Sequence, residues 1–455
     1  IIIYLSIAVV IGVGLGFFIQ KRKNTKQQDD AKTEVKDILS QARREADRIK
    51  SEKMLQAKER FIELKSEHEK VIFQREKKIS EIENRLREKE NKIGLVALTA
   101  LVFSAMVGAG IFSLPQNMAE VAGVNAVLVG WLITGVGILL LAGCFLQLSR
   151  AKPELDGGIY IYAREGFGEL AGFLSAWGYW LCATIGVVGY LVVAFAALGA
   201  FVDTPTFTLF GQGNTLMAFI CESIILWAVH LIIVKGIKQA SFINLLGTIA
   251  KVIPLLLFIG FAYAYFDPNV FKANQSHVSV QTDFIDQVKN TMLITLWVFT
   301  GIEGAAVLSA RAKNRKDIGL ATVIGVVAAL ILYIAITMLS FGIMNQSTIA
   351  QLSNPSMAGI MAMISGTTGK VIISAGLIVS VLASYLSWII YAAEVPNSAA
   401  KYGAFPKVFK KQNHNGTSIA SLTLTSLTVQ LCLVLILFTG ESYNTLVLVS
   451  TSMIL

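Results

Sequence analysis

Long apolar stretches follow one another through most of the chain, separated by short polar loops. They lie at residues 93–118, 124–149, 168–200, 215–234, 242–266, 289–310, 318–343, 367–392, 418–439 and from 443 to the end. All but the last reach the length of about twenty residues that an α-helix needs to cross a bilayer. The pattern predicts an all-α membrane protein of about ten transmembrane helices, and we expect the chain to end within the tenth.

The first 92 residues follow a different pattern. Residues 1–20 are almost entirely apolar, and the basic residues Lys21, Arg22 and Lys23 follow at once. Basic residues on this side favour an uncleaved transmembrane anchor over a cleaved signal peptide, with the chain emerging into the cytoplasm.

Residues 21–92 carry charges of both signs, and no proline or glycine occurs between residues 31 and 90. Apolar side chains recur here at steps of three and four, with one slip in phase. We call these positions the seam: Val35, Leu39, Ala42, Ala46, Ile49, Met54, Ala57, Phe61, Leu64, Ile79, Ile82 and Leu86. The spacing predicts a cytoplasmic coiled-coil helix with a stutter, and a single solvated helix is the alternative.

Composition separates these two parts further. The chain is 54% hydrophobic and 15% charged, with a mean hydropathy of +0.63, which excludes an ordinary soluble enzyme. Residues 1–92 contain 22 of the 39 basic and 16 of the 30 acidic residues, so the net charge of +9 does not indicate a nucleic-acid partner. The four cysteines and four histidines are scattered without metal-ligand spacing, so we expect neither a metal nor another cofactor.

The orientation of the apolar stretches follows from their loops, because cytoplasmic loops are enriched in lysine and arginine. Alternate loops contain the basic residues Arg150, Lys152, Arg164, Lys235, Lys238, Arg311, Lys313, Arg315, Lys316, Lys401, Lys407, Lys410 and Lys411. These loops are therefore predicted to lie in the cytoplasm, on the side where the anchor also emerges.

Two of the predicted spans contain paired glycines at mid-membrane depth. The first contains Gly108 and Gly110, and the sixth contains Gly301 and Gly304 with Glu303 between them. Paired glycines destabilise a continuous helix. Matching breaks in the first helix of each half predict a transporter core of five-plus-five inverted repeats, with its binding site between the breaks. For the first stretch alone, close helix packing through small residues is the alternative.

Several polar or aromatic residues fall inside the spans. Glu303 is costly at that depth, so a functional role is the default interpretation. Trp297 is placed to stack on a cationic group. Lys251 is interpreted as a fixed cation or titrating group, with snorkelling to the interface as the alternative. Glu222 and His230 lie towards the ends of the fourth span, where we expect them at the membrane interface.

The N-terminal part is similar to the membrane anchor and coiled coil of ribonuclease Y. The likeness covers roughly residues 1–92, including residues 42–46 and 85–90. The chain contains no His-Asp dipeptide, and the catalytic parts of that family are missing, so we predict that this protein is not an enzyme.

Residues 93–455 resemble the amino acid–polyamine–organocation superfamily, within it the basic amino acid/polyamine antiporters of the arginine–ornithine and arginine–agmatine type. The segments that carry the resemblance are residues 108–112, 153–162, 297–303, Trp388 and 405–407. The family has twelve spanning helices, so the second repeat is expected to be incomplete here. The position of Ala109 is often serine in the family.

The resemblance implies roles for individual residues. Backbone N–H groups at Ala109, Gly110 and Ile111, next to Gly108, would bind the carboxylate of the substrate. Carbonyls around Trp297, Thr300 and Gly301 would receive its α-amino group. Trp297 would stack on the cationic side chain and Trp388 would act as a further gate. Glu303, with Tyr179, would form an inner gate, and Lys251 stands where sodium-coupled relatives bind an ion.

The sequence therefore predicts an exchanger of cationic amino acids or polyamines that works by alternating access in the cytoplasmic membrane of a bacterium. A coiled-coil homodimer is a further expectation. The alternatives are a membrane-anchored scaffold and an accidental fusion without a working transporter. The predicted domains are residues 1–20 (anchor), 21–92 (coiled coil) and 93–455 (transporter).

Overall fold

The computed structural model describes residues 2–90, 92–152, 154–155, 157–204, 206–276 and 278–439. The chain divides into two compact units, Ile1–Glu83 and Asn84–Leu455, which we call the rod and the body. Pro153 of the predicted loop motif and the predicted tenth span, from residue 443, lie outside the described residues.

The N-terminal helix is continuous. Helix α1 runs Ile2–Glu90. Charged side chains alternate with the apolar seam, and the seam side chains that the structure describes are exposed. Phe61 is 68% exposed and Leu64 is 59% exposed, for example. The rod is thus helical where the sequence predicts a helix.

The helices of the body correspond to the predicted spans, and seven of the described helices are long and apolar enough to cross a membrane. The body helices are α2 (Leu95–Met106), α3 (Gly110–Val121), α4 (Val124–Ala151), α5 (Ile159–Phe167), α6 (Glu169–Val202), α7 (Leu216–Val234), α8 (Ile237–Ala264), α9 (Pro268–Ser276), α10 (Phe284–Val298), α11 (Gly304–Val307), α12 (Lys316–Phe341), α13 (Gln346–Ala350), α14 (Ser356–Lys401) and α15 (Ile419–Thr439). The pair α2–α3, bent by 40°, makes an eighth span. The prediction of an all-α membrane fold is confirmed.

Both predicted helix breaks are present. The first separates α2 from α3 at residues 107–109, and the second separates α10 from α11 at residues 299–303. Helix α14 also contains a kink at Ser365 and Gly366, so the predicted eighth span corresponds to its part after the kink.

Two groups of helices pack around the broken pairs. Helix α12 packs against α2 and α4, and α10 also packs against α4. Helix α14 packs against α6 and α8, and its middle contacts α2 and α3. The broken helices therefore lie between unbroken ones, which can cover the backbone groups that each break exposes.

The prediction that Glu222 and His230 lie at the membrane interface stays a prediction, because burial inside the protein does not fix the depth of a side chain in the bilayer. Both are buried, at 2% and 8% exposure, on the face of α7 that packs against its neighbours. His230 Nδ1 lies 2.9 Å from Ser426 Oγ of α15. The packing of α15 against this face of α7 accounts for the burial.

Candidate functional site

The first break leaves backbone groups of α2 and α3 without helical partners. Helix α2 ends at Met106, and α3 begins at Gly110 with its N-terminus at the break. A Cβ atom on Gly108 would lie 3.0 Å from the Tyr190 hydroxyl, so the backbone comes close to α6 here. Free N–H groups at a helix N-terminus attract an anion.

The carbonyl groups of this break are covered by a buried lysine. Lys251 of α8 is fully buried, and its Nζ donates to Ser104 O at 3.1 Å, Val107 O at 2.7 Å and Ser384 Oγ at 2.9 Å. Its ammonium group thus remains inside the body instead of reaching the interface. An ammonium surrounded by carbonyl and hydroxyl oxygens occupies the kind of place in which other transporters bind a metal cation.

Helix α14 supplies three more donors to the same stretch of backbone. Ser384 Oγ donates to Ser104 O at 2.6 Å, and Ser380 Oγ contacts Val107 O at 3.2 Å. Trp388 Nε1 donates to Ala105 O at 3.1 Å. The opened segment of the first span is therefore stabilised by side chains from α8 and α14.

The second break depends on a glycine and contains the predicted carboxylate. Gly301 has φ +110°, and a Cβ there would lie 2.9 Å from Ala105 Cβ, so only glycine fits without strain. Glu303 Oε2 accepts from Gly301 N at 3.2 Å, while the buried Oε1 has no hydrogen-bond partner among the described residues.

Two tyrosines surround this carboxyl group. The hydroxyls of Tyr179 and Tyr391 both lie close enough to Glu303 to interact with it electrostatically. The Tyr179 ring stacks on Trp388, with centroids 6.2 Å apart. Tyr391 was missed by the sequence reasoning, because a tyrosine inside an apolar run gives no signal of what it faces.

A cavity lies between the two breaks. Its innermost part has a volume of about 40 Å³ and continues into a vestibule of about 920 Å³. Of the predicted site residues, six line the inner part: Gly108, Ala109, Gly110, Trp297, Thr300 and Trp388. The wall on the side of α6 was not predicted and consists of Cys182, Ile185, Gly186, Gly189 and Tyr190. The paired small residues Gly186 and Gly189 are the signal that could have indicated it.

Ile111, Gly301, Glu303, Tyr179 and Lys251 do not line the cavity, although each belongs to a break or contacts one. Ile111 is 1% exposed and packs into the core. The structure thus brings the predicted residues into one region but divides them into a lining set and a surrounding set.

The vestibule lies towards one end of the body. Its outer wall includes Gln116 and Glu120 of α3, Asp203 after α6 and Asn354 before α14. The basic loops lie at the opposite end, which we call the basic end. There, Gly158 lets the loop after α4 approach the sixth span, since its Cβ would lie 2.9 Å from Ala306 O.

The basic end also contains a buried ion pair. Arg311 Nη2 lies 3.0 Å from Glu394 Oε2, and Arg311 Nε lies 3.2 Å from both carboxylate oxygens. The two side chains are 11% and 3% exposed. Arg311 O accepts from Ile93 N at 2.8 Å, so one residue contacts both the start of the first span and the end of α14.

Comparison with known proteins identifies the family of the body. The family model described as amino acid permease matches residues 93–455. The chain belongs to the amino acid permease family. Residues 1–94 match a second family model, the RNase Y N-terminal region. The two resemblances predicted from the sequence are confirmed.

Relatives of this permease carry related names. A protein of Escherichia coli (strain K12), provisionally named an arginine/ornithine antiporter, is 55% identical over 80% of this chain and 79% of its own. The arginine/ornithine antiporter of Pseudomonas aeruginosa is 47% identical over 80% and 76%. The arginine/agmatine antiporter of Chlamydia felis is 43% identical over 80% and 75%.

The permease fold is shared with a solved transporter. A sodium-coupled sialic acid symporter, in a substrate-bound outward-open state, superposes with a TM-score of 0.55 over 80% of this chain and 78% of that chain. The sequence identity of 12% limits the likeness to the fold.

Proposed function

We propose that residues 93–455 exchange cationic amino acids, such as arginine and ornithine, or their amines across a bacterial cytoplasmic membrane. The observation that carries the proposal is the cavity between the N-terminus of α3 and the C-terminus of α10, with the Trp297 indole on its wall. The relatives named for arginine, ornithine and agmatine antiport support the choice of substrate class.

The substrate lies between the two breaks in this proposal. Backbone N–H groups at Ala109, Gly110 and Ile111 receive its carboxylate, because they begin α3. Carbonyls at the end of α10 and in the second break, near Trp297 and Thr300, receive its α-ammonium group. The cationic side chain lies over the Trp297 ring.

Gating is assigned to the surrounding set together with Trp388 of the lining set. Trp388, stacked on Tyr179, forms the floor of the cavity, and Glu303 lies beyond it. Lys251 takes the place of a coupling cation between α2, α8 and α14, so exchange needs no sodium ion. When the site opens to the other side, these contacts must rearrange.

We further propose the orientation and the domain limits. The basic end faces the cytoplasm, because alternate loops concentrate lysine and arginine there. The vestibule then faces the outside, so the described conformation is open outwards. Residues 1–20 anchor the chain, residues 21–92 form a cytoplasmic coiled coil and residues 93–455 transport.

The test is uptake of labelled arginine into proteoliposomes that contain the full chain, with or without internal arginine or ornithine. Uptake that requires internal basic amino acid is expected. Trp297→Leu should lower the apparent affinity for arginine about tenfold or more, because a desolvated cation–π contact contributes up to about 2 kcal/mol.

The matched control is Trp177→Leu, since Trp177 is 42% exposed and does not line the cavity. That variant should exchange normally. Equal exchange by wild type and Trp297→Leu would contradict the site, and uptake indifferent to internal amino acid would contradict antiport.

A second role is proposed for the rod. The seam side chains that the structure describes, Phe61 and Leu64 among them, are exposed, which favours self-association of two chains. The mass of the full chain in detergent, measured by light scattering, should be that of a dimer. Phe61→Glu should give a monomer, whereas Phe73→Glu, equally exposed but outside the seam, should not. A monomeric wild type would contradict this role.

A further inference from the structure

One tyrosine hydroxyl lies between the ends of the two broken helices. Met106 is the last residue of α2, and Val298 is the last residue of α10. Tyr333 Oη lies 2.9 Å from Met106 O and 2.8 Å from Val298 O. Nothing in the sequence pattern connects Tyr333, in the middle of α12, with either break.

The two carbonyl groups that contact this hydroxyl both carry partial negative charge. Carbonyls in the last turn of a helix have no partner within the helix, although Met106 O accepts from Gly108 N of the break at 2.9 Å, and the helix dipole adds partial negative charge there. Two such ends that face one another repel. A phenol hydroxyl has one proton, which it donates to one carbonyl or shares between both. Tyr333 therefore offsets this repulsion and fixes how far apart the two carbonyls lie.

The position of the hydroxyl is itself fixed. Tyr333 is fully buried, and its ring stacks on Trp131 of α4 with centroids 6.0 Å apart and an interplanar angle of 24°. Phe299, from the second break, packs edge-on against it with centroids 5.3 Å apart. Since α4 and α12 are unbroken, the hydroxyl is supported by rigid elements. A hydroxyl placed in this way can set the geometry of the flexible breaks.

The carbonyl-bearing residues also belong to the cavity. Met106 and Val298 both line its inner part, together with Trp297 and Thr300. Carbonyls at half-helix C-termini are groups with which transporters coordinate cations. A primary ammonium group, which has three N–H donors, matches two such acceptors held at a fixed spacing.

We propose that Tyr333 is a positioning residue, whose hydroxyl holds the carbonyls of Met106 and Val298 at the spacing that receives the α-ammonium group of the substrate. This inference rests on the proposed function, because it takes a basic amino acid as the ligand. The hydroxyl acts through the two carbonyls and distinguishes ligands that carry an α-ammonium group from those that lack it.

The test compares two ligands in proteoliposomes of the full chain. One is arginine and the other is des-amino arginine, which keeps the carboxylate and the guanidinium group but lacks the α-amino group. Each competes with uptake of labelled arginine, and the ratio of the two apparent affinities is measured. Tyr333→Phe keeps the stacked ring and removes only the hydroxyl. The variant should lower the apparent affinity for arginine about tenfold (about 1.4 kcal/mol) and leave the apparent affinity for des-amino arginine unchanged. The ratio of the two affinities therefore falls about tenfold.

Tyr385→Phe is the matched control. Tyr385 is also a buried tyrosine of a long helix, and its hydroxyl has no hydrogen-bond partner among the described residues. Its loss should leave the ratio at the wild-type value. A Tyr333→Phe variant with the wild-type ratio, or with equal losses for both ligands, would overturn the proposal, because a merely structural role predicts one of these results.

A second variant keeps the test decisive if Tyr333→Phe does not insert. Trp131→Phe leaves the hydroxyl in place but shrinks the surface on which Tyr333 stacks, so the ratio should fall about threefold, or about 0.6 kcal/mol. An unchanged ratio in that variant would also overturn the proposal. Wild-type protein that does not exchange arginine would instead refute the proposed function, and the two failures are therefore distinguishable.

Discussion

Neutralising Glu394 should open the basic end of the body. Glu394→Gln keeps the size of the side chain but removes the negative charge that Arg311 contacts through three N–O distances of 3.0–3.2 Å. Glu394 Oε1 also accepts from Asn397 Nδ2 at 2.9 Å. The substitution leaves the Arg311 guanidinium buried without its counter-charge.

The burial of the pair sets the magnitude. The Arg311 side chain is 11% exposed and that of Glu394 is 3% exposed, so water screens them little in this conformation. Removing one partner of a buried pair costs about 3–5 kcal/mol. When the basic end opens, water reaches the Arg311 guanidinium group and removes the cost. The cost therefore destabilises the closed state relative to the open state. The ratio of closed to open molecules should then fall by about two to four orders of magnitude.

Cys182 provides the assay, because it lines the cavity between the breaks. The other cysteines, Cys144, Cys221 and Cys432, are replaced by alanine. A membrane-impermeant thiol reagent is then applied from the side of the basic end. The reagent should label Cys182 much faster in Glu394→Gln than in the parent. Labelling from the opposite side should slow, because fewer molecules are open outwards.

The control removes a different ion pair at the same end. Arg164 Nη2 lies 2.9 Å from Glu169 Oε1, but the Glu169 side chain is 86% exposed. An exposed pair contributes little, so Glu169→Gln should leave labelling unchanged. Equal labelling rates for Glu394→Gln and the parent would refute the argument that this ion pair keeps the basic end closed.

Three further perturbations follow from the structure. Lys251→Met removes the ammonium donor from Ser104 O and Val107 O, which keep only their serine donors, and should destabilise the body by about 1–3 kcal/mol, measured by denaturation in detergent; unchanged stability would contradict the assigned contacts. Gly158→Ala, at φ +65° and 2.9 Å from Ala306 O, should cost more stability than Gly168→Ala, at φ +90° with nothing within 4 Å, and thermal unfolding of both gives the comparison. Burial raises the pKa of Asp203, but its hydrogen bonds from the Leu209, Phe210 and Gly211 amides outweigh this and lower it. Its contribution to stability is therefore present above the unfolded pKa of about 3.9 and is lost as pH falls through the lower folded value. Hydrogen-exchange protection of those amides should fall over that range in the wild type and stay flat in Asp203→Asn.

The sequence by itself determined the order of the spans that the structure describes, and both breaks. The apolar length needed to cross a bilayer does not depend on which helix neighbours which. Paired glycines weaken a helix wherever they occur, so Gly108 with Gly110 and Gly301 with Gly304 marked the breaks before any packing was known.

Which side chains cover the breaks was decided only by the tertiary structure. Lys251, Ser384 and Tyr333 come from three different helices, and each contacts backbone that lies far away in sequence. Arg311 and Glu394 are 83 residues apart, and only the packing of α14 beside the sixth span brings them together.

The burial of Glu222 is another feature that the sequence alone does not determine. The sequence of an apolar helix does not show which of its faces will pack against another helix. The position of a residue along a span fixes its depth in the membrane but not the side chains around it. Burial depends on which face contacts another helix, and the packing of all the helices together decides that. The sequence therefore determined the elements and their interruptions, whereas the contacts that complete the site required the packed fold.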